Sequence, residues 1–132
     1  MIDGMQAVGR TFDHAVAAFI EDIEARGLSD KILLVCCGEM GRTPKINNRA
    51  GRDHWGSLAP LILYGGGLNH GQVIGQSARD VGTPATEPMT IKHLVATIFH
   101  TLFDIGQLRV QAGIPRDLER ALAAWEPIPG LL

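Results

Sequence analysis

The sequence predicts an α/β fold of doubly wound type, and three observations carry that reading. The apolar run Ile32–Cys37 is bounded by charge on one side and glycine on the other, which suits a parallel strand buried on both faces. Amphipathic stretches of helical period flank it in sequence, as an alternating arrangement of helices and strands requires. A polar, glycine-rich segment begins immediately after the run, at the carboxyl end of the strand, where open α/β sheets bind their ligands.

The first element is a helix over about Met5–Arg26. Met5, Val8, Phe12, Val16, Phe19, Ile20 and Ile23 fall on one stripe, Arg10, His14 and Glu21 fall opposite, and Gly27 supplies the stop. After the strand at Ile32–Cys37 comes Lys45–Trp55, polar and basic with almost nothing apolar, which makes a surface loop. A second strand is expected at Leu58–Tyr64, starting near Pro60 and closed by Gly65, Gly66 and Gly67. The segment Leu68–Glu87 is rich in Gly, Thr and Pro, so it is a long irregular connection, with Gln72-Val73-Ile74-Gly75 suited to a short edge strand. A connection of that length points to a functional loop or rim.

Pro88 and Thr90 open a second helix running to about Phe103, with Ile91, Leu94, Val95, Ile98, Leu102 and Ile105 on its apolar stripe and His93 and His100 opposite. A short helix over Pro115–Trp125 would turn Leu118, Leu122 and Trp125 inward, and Glu126–Gly130 is extended. There are no internal repeats or low-complexity tracts.

Composition narrows the function classes. Hydrophobic residues make up 45% and charged residues 20%, which argues for a folded globular chain and against disorder. A formal net charge of -2, with the basic residues scattered, gives no general attraction to nucleic acid. No run approaches the ~20 apolar residues of a membrane span, and the first residues lack the basic and apolar regions of a signal peptide. The only cysteines, Cys36 and Cys37, are adjacent in the strand and face opposite ways, so they are expected to be buried thiols rather than a disulfide.

The chemistry concentrates in Gly38-Glu39-Met40-Gly41-Arg42-Thr43-Pro44-Lys45 and Gly51-Arg52-Asp53-His54-Trp55. Gly38 and Gly41 allow the backbone to turn sharply and aim the Glu39 carboxylate into a crevice, as a metal ligand must be aimed. The competing reading of Glu39 is a carboxylate paired with Arg42. His54 is the stronger ligand candidate, since imidazole suits zinc and related metals, and Asp53 beside it serves as a further ligand or as the group that orients a ring. The competing reading of His54 is an exposed histidine in a polar loop, although Trp55 favours order there. Arg42 and Arg52 present planar donor forks matched to phosphate or sulfate oxygens; solvated or ion-paired arginines are the alternative. The first block is not a nucleotide-binding P-loop, because the spacing is wrong and Pro44 breaks the helix that should follow. His14, His93 and His100 suit surface positions, and His70 in the glycine loop is a weak site candidate.

From roughly Phe12 to Phe103 these blocks, with Glu24–Leu28, the strand and Gly65–Gly67, resemble a bacterial family known as a domain of unknown function, number fifteen-oh-one, grouped with the alkaline phosphatase and sulfatase superfamily. The resemblance implies that this chain corresponds to the carboxyl-terminal part of a longer doubly wound α/β domain with flanking helices, and that it needs the upstream half to complete a site. No segment resembles the superfamily's nucleophile. The activity implied is metal-dependent hydrolysis of phosphate or sulfate esters, with Glu39, Asp53 and His54 at the metal, Arg42 as the catalytic and anion-facing residue, and Arg42 and Arg52 on the substrate. A histidine ligand favours zinc or manganese over calcium. The implied partner is an anionic small molecule or a sulfated or phosphorylated glycan, and many relatives are exported. An isolated chain without the nucleophile is expected to be inactive. The alternatives are a non-catalytic relative that binds an anion or glycan, or a truncated product with exposed apolar surface.

Overall fold

A computed structural model describes the backbone of residues 2–132 and the side chains from residue 4 onward. The chain runs α1 (Ile2–Ala25), β1 (Leu33–Cys37), β2 (Gly41–Arg42), β3 (His54–Trp55), β4 (Leu61–Gly65), α2 (Ile91–Leu102), α3 (Ile105–Val110) and α4 (Arg116–Ala124). Helices and strands are thus mixed, as expected. The expected parallel pairing is not what the chain forms: β1 and β4 are antiparallel, in the register Leu33↔Gly65 through Cys37↔Leu61. The physical reason lies in the connection. A parallel pair needs a crossover of a dozen residues or more, usually a helix, whereas the segment between β1 and β4 folds into a hairpin and returns the chain on the same side.

That hairpin is the second sheet, β2 with β3, paired antiparallel as Gly41↔Trp55 and Arg42↔His54. Glycine is required at position 41 because the Leu58 carbonyl oxygen lies only 1.9 Å from where a Cβ would stand. Gly65 ends β4 for two reasons, a φ of +82° and an Ile32 carbonyl oxygen 2.0 Å from its would-be Cβ. The β1–β4 pair could not turn into the following loop with a side chain there.

The core is small: Leu68, Ile128 and Leu131 are buried together, with Leu33, Leu63 and Met89 packed against them. The carboxyl-terminal tail therefore supplies two of its three buried members. Thr97 of α2 fastens that tail, since its buried Oγ1 accepts from the Ile128 amide at 2.9 Å while donating to the His93 carbonyl at 2.7 Å. This reverses part of the face expected for α2. Ala96 and Thr97 are the buried positions, whereas Ile91 and Leu102 are 69% and 56% exposed. Thr97 is short enough for its hydroxyl to meet the Ile128 amide of the tail, and a stripe chosen by hydrophobicity alone misses that. Ile105 likewise leaves the stripe and opens α3, behind an Asp104 cap that accepts from the Gln107 amide at 3.0 Å.

α1 follows the expected bounds, yet of its stripe only Ile23 is buried; Met5, Val8, Phe12 and Phe19 are exposed. Its far end is tied to the sheet by the Tyr64 hydroxyl, which donates to the Glu24 carboxylate. No strand forms at Gln72–Gly75; the loop is ordered instead by a bridge between Ser77 and Pro84. Cys36 and Cys37 are free thiols, but Cys37 is exposed and Cys36 half-buried, so neither sits in the fully buried setting expected of them. Among the described residues no helix is long and apolar enough to cross a membrane.

Candidate functional site

The hairpin brings the two polar blocks together. Arg42 and His54 are directly opposed across β2 and β3, so their side chains share one face of the ribbon, while Gly41 and Trp55 occupy the other positions of the pairing. The pairing continues beyond the strands, with the Thr43 amide donating to the Asp53 carbonyl at 3.0 Å and the Asp53 amide donating to Thr43 Oγ1 at 3.2 Å.

The loop that closes the hairpin is organised by Asn47. Its Oδ1 accepts from the amides of Arg49 and Gly51 at 3.0 and 2.9 Å, and its Nδ2 donates to the Asp53 carboxylate at 2.8 Å. A side-chain amide that holds its own turn in this way explains why a run with almost nothing apolar is nonetheless fixed. The asparagine followed four residues later by glycine was the available sequence signal.

Of the expected site residues, Arg52 has a structural task that sequence reasoning did not assign. Its Nη1 donates to the carbonyl of Thr43 at 2.7 Å and to the carbonyl of Pro44, bracing one side of the hairpin against the other. Arg42 is exposed and makes one bond, Nη1 to the Arg52 carbonyl at 3.2 Å, which leaves most of its donors available. Glu39 is exposed in the turn between β1 and β2, and among the described residues it forms no salt bridge, so the pairing with Arg42 considered from sequence is not made. His54 is exposed, and Asp53 is turned to Asn47.

Among the described residues, no group of three or more His, Cys, Asp or Glu side chains is placed to hold a metal ion. Glu39, Asp53 and His54 are therefore not gathered into the single donor group anticipated from the sequence.

What the chain does build beside Arg42 is a cleft of about 440 Å³. It is lined by Gly41 and Arg42 of β2, by Ser57–Pro60 ahead of β4, and on the long loop by Ile74–Ser77, Val81, Pro84 and Thr86–Met89. Its size is within the range of small-ligand sites. The loop is held in place by Trp55, whose indole nitrogen donates to the Gly82 carbonyl at 2.6 Å. Trp55 thus proves ordered through a bond to the long loop. Sequence reasoning singled out neither this clamp nor the wall residues Glu87 and Val81. His93, expected to be a plain surface residue, instead caps α2, its Nδ1 accepting from the Thr90 amide at 3.0 Å. His70 stacks on Tyr64 with ring centres 4.6 Å apart, which accounts for it without a ligand.

A family model described as a protein of unknown function, DUF1501, matches residues 2–114 of the chain. Searches among curated proteins and among solved structures returned no match.

Proposed function

The chain belongs to the DUF1501 family, and from that premise we propose that it forms the anion-binding part of a hydrolase of phosphate or sulfate esters. The observation that carries this reading is Arg42: an exposed side chain with unspent guanidinium donors on a residue that lines a ligand-sized cleft, opposed across the ribbon by His54. A guanidinium fork neutralises the charge of a tetrahedral oxyanion and fixes its orientation. His54, on the same face, supplies a second nitrogen to the anion or a site for a proton.

The wider reading is that the chain is the carboxyl-terminal part of an alkaline phosphatase or sulfatase-like doubly wound domain. The open apolar stripe of α1 supports it, since Met5, Val8 and Phe12 are the residues that would cover a sheet. Zinc or manganese, preferred over calcium for a site with histidine, would need donors additional to Glu39, Asp53 and His54 as this chain places them. No step is assigned to such an ion. A second reading is a relative that binds the anion at Arg42, whose side chain makes one bond, without turning it over.

The test is titration of the chain with inorganic phosphate and with sulfate in the presence of a chelator, by calorimetry. Saturable binding that is lost in Arg42→Ala supports the anion site; no binding, or binding indifferent to that substitution, rejects it. The isolated chain is expected to be inactive, and turnover of an aryl phosphate that disappears in His54→Ala would show that expectation wrong.

A further inference from the structure

The long loop that helps to line the cleft is attached at both of its ends to one other segment, the carboxyl-terminal tail. Val73, Ile74 and Val81 are exposed, and the loop has no regular element beyond the Ser77–Pro84 bridge, so it buries little apolar surface of its own to hold its shape. Its anchors come from elsewhere. At its start, Leu68 is buried with Ile128 and Leu131 of the tail, and the Asn69 amide donates to the Leu131 carbonyl at 2.8 Å. Gln72 then donates through Nε2 to the Gly130 carbonyl at 2.7 Å and to the Asn69 carbonyl at 3.1 Å. At the far end, Met89 packs against the same buried group and is itself among the residues that line the cleft.

The loop residues of the lining, from Ile74 to Met89, therefore fall between two attachments to the tail. The tail has its own support in the bond from the Ile128 amide to Thr97 Oγ1. Gly130 suits its place there, since it stands at φ +83° and a Cβ would come within 3.2 Å of Gln72 Oε1. Residues 126–132 lie outside the matched span 2–114, so the loop is attached from beyond that span.

We infer that residues 126–132 are a strap that holds the loop side of the cleft, with Gln72 and Gly130 as its catch. Releasing the catch loosens the loop while the β1–β4 pair stays formed. Neither residue lines the cleft, so both act on a ligand by positioning the loop. The consequence for binding rests on the anion-site reading of Arg42; the consequence for the loop does not.

The test is native-state hydrogen exchange on the full chain and on Gln72→Glu, Gly130→Ala, the double variant and Val73→Ala. Gln72→Glu keeps the shape of the side chain but sets an acceptor against two carbonyls, and Gly130→Ala puts a Cβ where positive φ disfavours one. Each should speed exchange of the Ala78, Val81 and Ala85 amides, bonded within the loop at 2.8 Å, by about fivefold, the factor that one hydrogen bond confers. The double variant should do no more than either alone, because both open one catch. Val73→Ala, at a position on the same loop that is 96% exposed, should change nothing. An unchanged loop, the same loosening in Val73→Ala, equal loss of protection in β1–β4, or factors that multiply in the double variant would each overturn the strap. Titration with inorganic phosphate should show affinity falling about fivefold in the same two single variants. A loosened loop with undiminished affinity overturns the hold of the strap on binding. Failure of phosphate to bind the unaltered chain rejects the anion site, and exchange alone then decides for or against the strap.

Discussion

Trp55 and Gly82 are 27 residues apart in the chain and joined by a bond of 2.6 Å from indole nitrogen to carbonyl oxygen. That bond connects the hairpin to the long loop. Gly82 is buried, which leaves its carbonyl few other partners. Trp55→Phe keeps an apolar ring and removes only the donor. It should cost about 1–2 kcal/mol, the usual consequence of orphaning a buried acceptor. Hydrogen exchange should show the reason, with the amides of Ala78 and Val81, bonded within the loop at 2.8 Å, losing protection while the β1–β4 amides keep theirs. Unchanged exchange in the loop would mean that it holds its shape without the indole.

Thr97 offers a second test of how the chain is held together. Thr97→Val keeps shape and burial but leaves the Ile128 amide without its acceptor, at a cost of about 1–3 kcal/mol. Thr97→Ser retains the oxygen and should lose only the effect of one methyl group, about 1 kcal/mol. Chemical denaturation of both variants decides between a role in hydrogen bonding and one in packing alone: a loss in Thr97→Ser with none in Thr97→Val would place the value of Thr97 in its methyl group.

These two residues also mark where the sequence was and was not legible. The bounds of α1, α2 and α4 were readable because helical period and stop signals are local. The inward face of α2 was not, since Ala96 and Thr97 are buried by a tail some thirty residues downstream, and no property of α2 announces that tail. The direction of β4 against β1 was open to inference from the lack of any helical segment between residues 38 and 60, although the apolar run alone suggested a parallel sheet. At the site, the meeting of Arg42 with His54 followed from two polar blocks joined by a turn. The bracing role of Arg52 did not, because its partners are backbone carbonyls, which every residue has. The Trp55 clamp depended on the path of an irregular loop, to which periodicity gives no access.

Tyr64 is the only tyrosine in the chain, so its ionisation can be followed without interference from another. Its pKa is raised above the ordinary 10.0, first because its hydroxyl donates to Glu24, a bond the phenolate cannot make, then by desolvation and by the Glu24 charge. A folded pKa above the unfolded one means that the contribution is fully present below pH 10.0 and is lost as pH rises through the folded value. Tyrosinate absorbance should therefore show a midpoint above 10.0 that falls toward it in Glu24→Gln. A midpoint indifferent to that substitution would show that the tie between α1 and β4 is not made in solution.

The sharpest comparison is between the two arginines, both of which the sequence placed on the substrate, with Arg42 alone given a catalytic role as well. Arg52 spends Nη1 on the carbonyls of Thr43 and Pro44, and its removal leaves two strands of the hairpin without their cross-link. Arg42 makes a single side-chain bond of 3.2 Å and is among the residues that line the cleft. Arg52→Ala should thus lower stability by about 1–2 kcal/mol, the range for lost bonds to a charged donor that is partly solvated. Any loss of phosphate affinity in that variant should follow the loosening of the hairpin and recover at lower temperature or in a stabilising osmolyte. Arg42→Ala should change stability by no more than about 0.5 kcal/mol, as exposed substitutions do, while weakening phosphate binding about tenfold or more. Its deficit should persist under stabilising conditions, because the missing charge is not restored by a firmer fold. Denaturation curves and phosphate titrations of both variants, in buffer and in osmolyte, make the distinction. A phosphate deficit in Arg52→Ala that persists in osmolyte without loss of stability would place Arg52 on the anion after all, and the carbonyl contacts would then be the resting position of a donor that turns to its ligand.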